Sequence, residues 1–134
     1  MDAAVRPLTR EDVARLRPQE RKALLEQVGA MIATGELSLA DAARLLRSTF
    51  LRMSRTRFAK VVKVSPRAIA ELEDDREANP RLQTLARVFA PFGGKVALTF
   101  PALAPEPAPD EATERVRAAL RASLAASKRA RRSR

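Results

Sequence analysis

The side chains of this sequence whose types and spacing could do chemistry are cations, and they are concentrated in two blocks. Residues 42–70 contain eight Lys or Arg and no acid, and residues 115–134 contain another eight and no acid. Between the blocks, residues 71–77 carry five acids and one Arg. Clustered cations of this kind indicate a polyanionic partner, and nucleic acid is the commonest one. For the second block, a charged tail that only keeps the chain soluble is the alternative.

The composition argues against catalysis and against a metal or cofactor site. The chain of 134 residues has a net charge of +10 and contains no Cys, His, Trp or Tyr, which removes disulfides, imidazole or thiolate ligands and histidine bases. Its carboxylate pairs, Glu11–Asp12 and those of ELEDD at 71–75, are interpreted as solvated helix faces. No apolar run reaches membrane-spanning length and no signal sequence is evident, so we expect a cytoplasmic protein that does not bind a membrane.

Capping residues predict a mainly α-helical chain. Side chains that accept hydrogen bonds at helix starts, or a Pro suited to a first turn, occur at Thr9, Pro18, Ser38, Ser54 and Ser65. Glycines follow two of the predicted helices, at Gly35 and Gly93–Gly94, where a helix is expected to stop.

Two of these helices are short and closely connected, which fits a helix-turn-helix. They begin at Ser54 and Ser65 and are joined through Lys63–Val64. Apolar residues fall where a three-helix core needs them, at Phe58, Val62, Val64, Ile69 and Leu72. The second helix of such a motif presents its N-terminal half to DNA, so the change from basic to acidic residues marks where the expected contact ends.

Residues 95–100, KVALTF, alternate in polarity and predict the chain's one strand, with Val96, Leu98 and Phe100 on one face. A lone strand leaves its backbone groups unpaired, and a second copy of the chain is the simplest partner. We therefore expect a homodimer joined partly by an intermolecular strand pair. The alternative is an extended segment lying on the core.

These patterns divide the chain into four parts. Residues 1–37 form an N-terminal helical extension, 38–101 the helix-turn-helix domain with its dimerisation strand, 102–110 a Pro-rich linker, and 111–134 a basic tail. In the tail, Val116, Leu120 and Leu124 form an apolar stripe that is too narrow to hold a helix by itself, so we expect disorder in the free chain.

The segment from about Leu46 to Gly93 resembles the Xre/Cro (lambda-repressor-like) helix-turn-helix family. The resemblance is carried by MSRTRFAKVVKVSPRAIAELE at 53–73 and by NPRLQTLARVF at 79–89, and the following GGKVALTF is similar to the ending of HipB-type antitoxins, whose dimers pair such strands. Lys63 stands where the family often has Gly, so a left-handed turn would be strained there. Arg55 replaces a residue that is often a polar amide.

The resemblance implies a sequence-specific DNA-binding transcriptional regulator, most simply a repressor. A refinement is the autoregulating antitoxin of a toxin–antitoxin system, with a toxin protein as a further partner. The alternative is a weakly specific architectural nucleic-acid-binding or protein-interaction protein that acts through the basic tail.

The resemblance also assigns roles to individual residues. Pro66, Arg67 and Ala70 would face the major groove of double-stranded DNA, and the Arg67 guanidinium matches the O6/N7 pair of guanine. Arg55 would touch a phosphate or a base edge. The remaining assignments are contacts to the DNA backbone by Arg52, Arg57, Lys60, Ser54 and Ser65. For the two serines, ordinary helix capping is an equal alternative. For Arg57 and Lys60, the equal alternative is a solvated helix face.

Overall fold

The computed structural model describes residues 6–75, 79–98 and 108–132, and these are mainly helical. Its α-helices are α1 Arg10–Ala14, α2 Pro18–Ala33, α3 Leu39–Leu45, α4 Arg55–Val62, α5 Pro66–Asp74, α6 Leu82–Phe89 and α7 Glu111–Arg132. A π-helical turn, Leu46–Phe50, prolongs α3, and a 3₁₀ turn, Ala90–Phe92, prolongs α6.

The helix starts predicted from capping residues are confirmed. The hydroxyl oxygens of Thr9 and Ser38 each accept a hydrogen bond at 3.1 Å from the backbone N–H three residues later. Pro18 occupies the first turn of α2. The left-handed φ of +80° at Gly35 follows the end of α2, where the sequence places a stop.

Two apolar clusters form the core, and α3 lies between them. The first joins α2, the loop residue Leu37, α3 and α7; its buried members are Leu24, Val28, Met31, Leu37, Ala42, Leu45, Leu46 and Leu120. The second packs α3 against α4, α5 and α6; its members are Ala43, Phe58, Ala59, Val62, Ile69, Leu72 and Val88. The adjacent small residues Ala42 and Ala43 face different clusters, so α3 packs closely on both sides.

The division into an N-terminal extension and a separate domain has no counterpart in the packing. Leu24 of α2 and Leu45 of α3 belong to the same buried cluster. Phe92 also packs against both clusters, and its ring lies 6.5 Å from those of Phe50 and Phe58. Helices α2 and α3 therefore share one core across the expected boundary at residue 37.

The basic tail differs most from expectation, because residues 111–132 form a helix. The residue just before it, Asp110, accepts a hydrogen bond at 2.8 Å from the Thr113 backbone N–H. Leu120 is fully buried, with Val116 and Leu124 packed around it. The stripe is too narrow for an isolated helix, but α2 and α3 supply the apolar surface that it needs.

The predicted strand is not found in the part of the chain that the structure describes. Residues 94–98 form no helix or strand, while Thr99 and Phe100 lie outside the described residues. Lys95, Val96 and Ala97 line a groove formed with α2 and α6, which agrees with the alternative of an extended segment on the core. The physical reason is that the residues described here include no second strand with which the segment could pair.

None of the helices within the described ranges combines the length and hydropathy needed to cross a bilayer. Acidic side chains in those same ranges form no group that could hold a metal ion.

Candidate nucleic-acid interface

Helices α4 and α5 form a compact pair joined by a left-handed turn. Lys63 has φ 59° and ψ 45° and ends α4, and the Val64 backbone N–H donates to the Ala59 carbonyl at 3.0 Å. Arg87 of α6 donates to the Lys63 carbonyl at 3.0 Å, which fixes the turn to the next helix. The positive φ at Lys63 is the conformation that favours Gly, so the strain expected from the sequence is present.

The outer surface of this pair carries exposed cations. Phe58, Ala59 and Val62 point into the core. Arg57, Lys60 and Lys63 are exposed, and within the described ranges none of them forms an ion pair. Lys63 was not assigned to a DNA contact from the sequence, because it was interpreted only as a turn residue.

The start of α5 is exposed, as a surface for the DNA groove requires. Pro66 and Arg67 lie on the surface, and the Arg67 side chain is 88% exposed, whereas Ala70 is half-buried. The Arg67 Nε donates to Glu71 Oε1 at 3.0 Å, one helical turn away. An exposed pair of this spacing contributes only about 0.3–0.5 kcal/mol, so the Arg67 guanidinium can exchange this partner for another.

Both serines act as helix caps. The Ser54 hydroxyl accepts from the Arg57 backbone N–H at 3.2 Å, and the Ser65 hydroxyl accepts from the Ala68 backbone N–H at 3.0 Å. The capping alternative stated for them is therefore present in the structure. Their hydroxyls are exposed but already engaged in the fold.

Two of the arginines assigned to DNA contacts are held by the protein itself. Arg55 donates from Nη1 and Nη2 to the two carboxylate oxygens of Asp74, at 2.9 and 2.5 Å. The hydrogen bond with Asp74 raises the pKa of Arg55 and lowers that of Asp74. Arg52 has a left-handed φ of 55°, and its Nη2 donates to the Arg10 carbonyl at 2.8 Å.

The interpretation of ELEDD as a solvated helix face is wrong for Glu73. This side chain is 1% exposed and accepts from Arg47 Nε at 2.8 Å and from Arg47 Nη2 at 2.7 Å. Arg47 also donates to the Met53 carbonyl at 2.8 Å. A buried carboxylate must be paired, and this bidentate pair joins the end of α5 to the π-helical turn after α3.

Arg44 also contacts the end of α5, so the arginines around Glu73 and Asp74 outnumber these two acids. Its Nη2 donates to the Glu73 carbonyl at 2.8 Å and to Asp74 Oδ1 at 3.1 Å. Its Nη1 is buried and has no hydrogen-bond partner, and burial lowers the pKa of Arg44. The same Asp74 oxygen lies 3.9 Å from Arg131 Nη2, at the end of α7.

The sequence alone did not identify this cluster, because its members lie on α3, α4, α5 and α7. Arg47 and Glu73 are 26 positions apart, and no local pattern relates residues at that distance. The only indication of this cluster in the sequence is the excess of Arg over acid within residues 42–70. That excess by itself fits a surface for DNA as well as it fits a buried charged cluster.

The residues assigned to dimerisation are exposed where they are described. Val96 is 46% exposed and Leu98 is 85% exposed, which leaves apolar surface on this segment. Phe100 lies outside the described residues.

In comparisons with protein-family models, curated proteins and solved structures, none matches this chain.

Proposed function

We propose that this protein binds double-stranded DNA through α4 and α5 and regulates transcription, with α5 entering the major groove. The observation that carries the proposal is the pairing of α4 and α5 through the left-handed turn at Lys63. In this helix pair, the start of α5 and the cations of α4 are both exposed. This arrangement supports the resemblance to Xre/Cro proteins, in which the first half of the second motif helix contacts base edges.

The roles of the individual residues differ. Arg67 is the proposed base reader, because its side chain is 88% exposed at the start of α5 and its guanidinium can donate two hydrogen bonds to guanine. Arg57, Lys60 and Lys63 are proposed to contact phosphates, which positions the protein without reading sequence. Arg55 contributes mainly by orienting α4, since both its Nη atoms are already bonded to Asp74.

Selection of bound duplexes from a random DNA pool tests this proposal, using the full chain. A truncation that removes α7 is unsuitable because it also removes the buried Leu120. The expected result is an inverted repeat with half-sites about one helical turn apart. Arg67→Ala should weaken binding to that site by about 1–3 kcal/mol and relax the preference at one base position.

Arg57→Ala is the matched control, since it removes the same charge from the neighbouring helix. It should weaken binding to all sequences alike and reduce the salt dependence by about one unit. If Arg67→Ala leaves the preferred sequence unchanged, α5 does not read DNA through this residue.

The proposed assembly is a homodimer in which residues 95–100 pair between two copies. The exposed Val96 and Leu98 support this, because exposed apolar side chains on a segment without strand pairing favour association. Leu98→Asp should give monomers in sedimentation equilibrium and leave the circular dichroism spectrum unchanged, since Leu98 makes little contact within the chain. A dimer that persists in Leu98→Asp would exclude this strand pairing.

The regulator is proposed to act as a repressor, because a dimer bound at an operator blocks access to that DNA. The antitoxin refinement predicts that a second protein, encoded next to this one, co-purifies with the chain from native extract. A lone dimer from that extract would contradict the refinement but not the proposed DNA binding.

One observation favours a second function, that of a weakly specific architectural nucleic-acid binder. Arg67, the proposed base reader, and Arg55, for which the resemblance allows a base-edge contact, are both paired with acids in the free protein. In this case the random pool would yield no preferred sequence, while binding would still weaken steeply with salt.

A further inference from the structure

The C-terminal helix α7 is fixed to the rest of the protein at several points along its length. Leu120 is fully buried between α2 and α3. The Leu8 backbone N–H donates to the Ser123 hydroxyl at 2.8 Å, and Arg117 Nε donates to Gln27 Oε1 at 2.9 Å. Arg121 is paired with Glu36 and Glu114. The last turns of α7 therefore have a defined position relative to α4 and α5.

Those last turns are exposed and strongly basic. From residue 115 to residue 132 the sequence has no acid, and the final turns form what we call the α7 basic end: Lys128, Arg129, Arg131 and Arg132. In the described part of the chain, Lys128, Arg129 and Arg132 form no ion pair. Cations also stabilise the C-terminus of a helix, but that effect is confined to the last turn and does not require four of them.

The α7 basic end lies at the edge of the α4–α5 unit. Arg131 Nη2 is 3.9 Å from Asp74 Oδ1, and the same oxygen accepts from Arg55 Nη2 at 2.5 Å. Arg55 is the first residue of α4, and Asp74 is the last of α5. The cations of α7 thus extend the basic surface of α4 beyond the helix pair.

We propose that the α7 basic end contacts backbone phosphates of duplex DNA that flanks the site entered by α5, on the side of Arg55. This inference rests on the proposed function and adds a second, sequence-independent contact to it. Because Leu120 and Ser123 hold α7 in place, the contact falls at fixed phosphates, unlike that of a disordered basic tail. It contributes affinity and register, while base reading remains with α5.

Two variants separate a positioned contact from general attraction by charge. The first replaces all four residues of the α7 basic end by Ala, which favours helix and leaves the buried part of α7 unchanged. The second inserts Gly-Ser-Gly-Ser after Ser127, which keeps every charge but frees the basic end from its position. The matched control removes the same number of exposed charges from other surfaces: Arg15, Arg21, Lys22 and Arg115.

Each variant is compared with the full chain by the salt dependence of DNA affinity and by phosphate footprinting. The alanine variant should lower the salt slope by about 3–4 units per protomer, at roughly 0.9 unit for each phosphate that is no longer neutralised. It should also lose protection of the flanking phosphates on one side of each half-site. The insertion variant should lose that protection while keeping most of the salt slope. The control should keep the protection and change the salt slope by no more than about one unit.

The inference is overturned if the alanine variant keeps the slope and the footprint, or if the insertion variant keeps the flanking footprint. The proposed function can fail separately. If the full chain selects no preferred sequence, but the alanine variant still loses slope and protected phosphates, the contact stands and the reading role of α5 does not. If the full chain selects an inverted repeat that both variants bind like the parent, only the contact is refuted.

Discussion

Removing the charge of Glu73 should destabilise the fold far more than removing the same charge two residues earlier. Glu73 is 1% exposed and takes two hydrogen bonds from Arg47, whose side chain is 12% exposed. Glu73→Gln preserves size but leaves Arg47 without its counter-charge. Breaking a buried pair by removing one partner costs about 3–5 kcal/mol.

The surroundings of Glu73 place the expected cost within this range. Arg44 and Arg55 also point at this end of α5, and Arg44 Nη1 already lacks a partner. Asp74 would still pair with Arg44 and Arg55, but Arg47 is too buried for solvent to replace its lost partner. Because small domains are stable by only about 5–15 kcal/mol, a loss of about 3–4 kcal/mol lowers the midpoint of thermal unfolding by roughly 10–15 °C.

Urea unfolding followed by circular dichroism at helical wavelengths measures this cost, since the chain has no Trp or Tyr for fluorescence. The control is Glu71→Gln, on the same helix, where the pair with Arg67 has side chains 61% and 88% exposed. That change should cost no more than about 0.5 kcal/mol. If Glu73→Gln costs no more than Glu71→Gln, the buried pair does not stabilise the end of α5.

A double variant distinguishes the pair from the packing around it. Glu73→Leu combined with Arg47→Met replaces both charges by apolar groups, and such replacements of buried pairs are often neutral. The double variant should therefore be more stable than Glu73→Gln by about 2 kcal/mol. Equal instability of the two would show that the cost lies in shape and not in the uncompensated charge.

Three further predictions concern other parts of the fold. Leu120→Ala should cost about 2–5 kcal/mol in urea unfolding because it opens a cavity between α2 and α3, whereas Leu98→Ala, at 85% exposure, should change stability by less than about 0.5 kcal/mol. Lys63→Gly should stabilise the chain by up to about 1 kcal/mol in the same assay, because Gly adopts the left-handed φ of 59° without strain. The gain is limited because Gly also raises the conformational entropy of the unfolded chain. A loss of stability would mean that contacts of the Lys63 side chain outweigh the strain in its backbone. Arginine partners lower the pKa values of Asp74 and Glu36 from 3.8 and 4.5, so the stability that these pairs provide is present above 3.8 and 4.5 and is lost as the pH falls through the lowered values. The midpoint of thermal unfolding should therefore change little between roughly pH 6 and 8 and fall below roughly pH 4. High salt should make this fall smaller, because it screens the ion pairs.

Local signals in the sequence were sufficient for the helix starts and for the turn. Thr9, Ser38, Ser54 and Ser65 each bond to the backbone three residues ahead, so their role is decided within one helical turn. The same holds for Lys63, whose left-handed conformation follows from its place between two short helices.

What the sequence did not reveal depends on contacts between distant residues. Val116, Leu120 and Leu124 form too weak a stripe by themselves, and only the facing surfaces of α2 and α3 make α7 stable as a docked helix. The alternation in residues 95–100 is a local pattern too, but a strand also needs a partner, which the chain itself does not provide over residues 94–98.

The two clusters on either side of α3 also imply an order in which the protein folds during its synthesis. All buried members of the second cluster lie between Ala43 and Val88, so it can close as soon as α6 has left the ribosome. The first cluster waits for Leu120, and until then α2 and α3 present an uncovered apolar surface. A nascent chain interrupted before Leu120 would therefore have its α4–α5 unit folded while the apolar surface of α2 and α3 remains exposed. Chaperones and proteases can recognise that exposed surface.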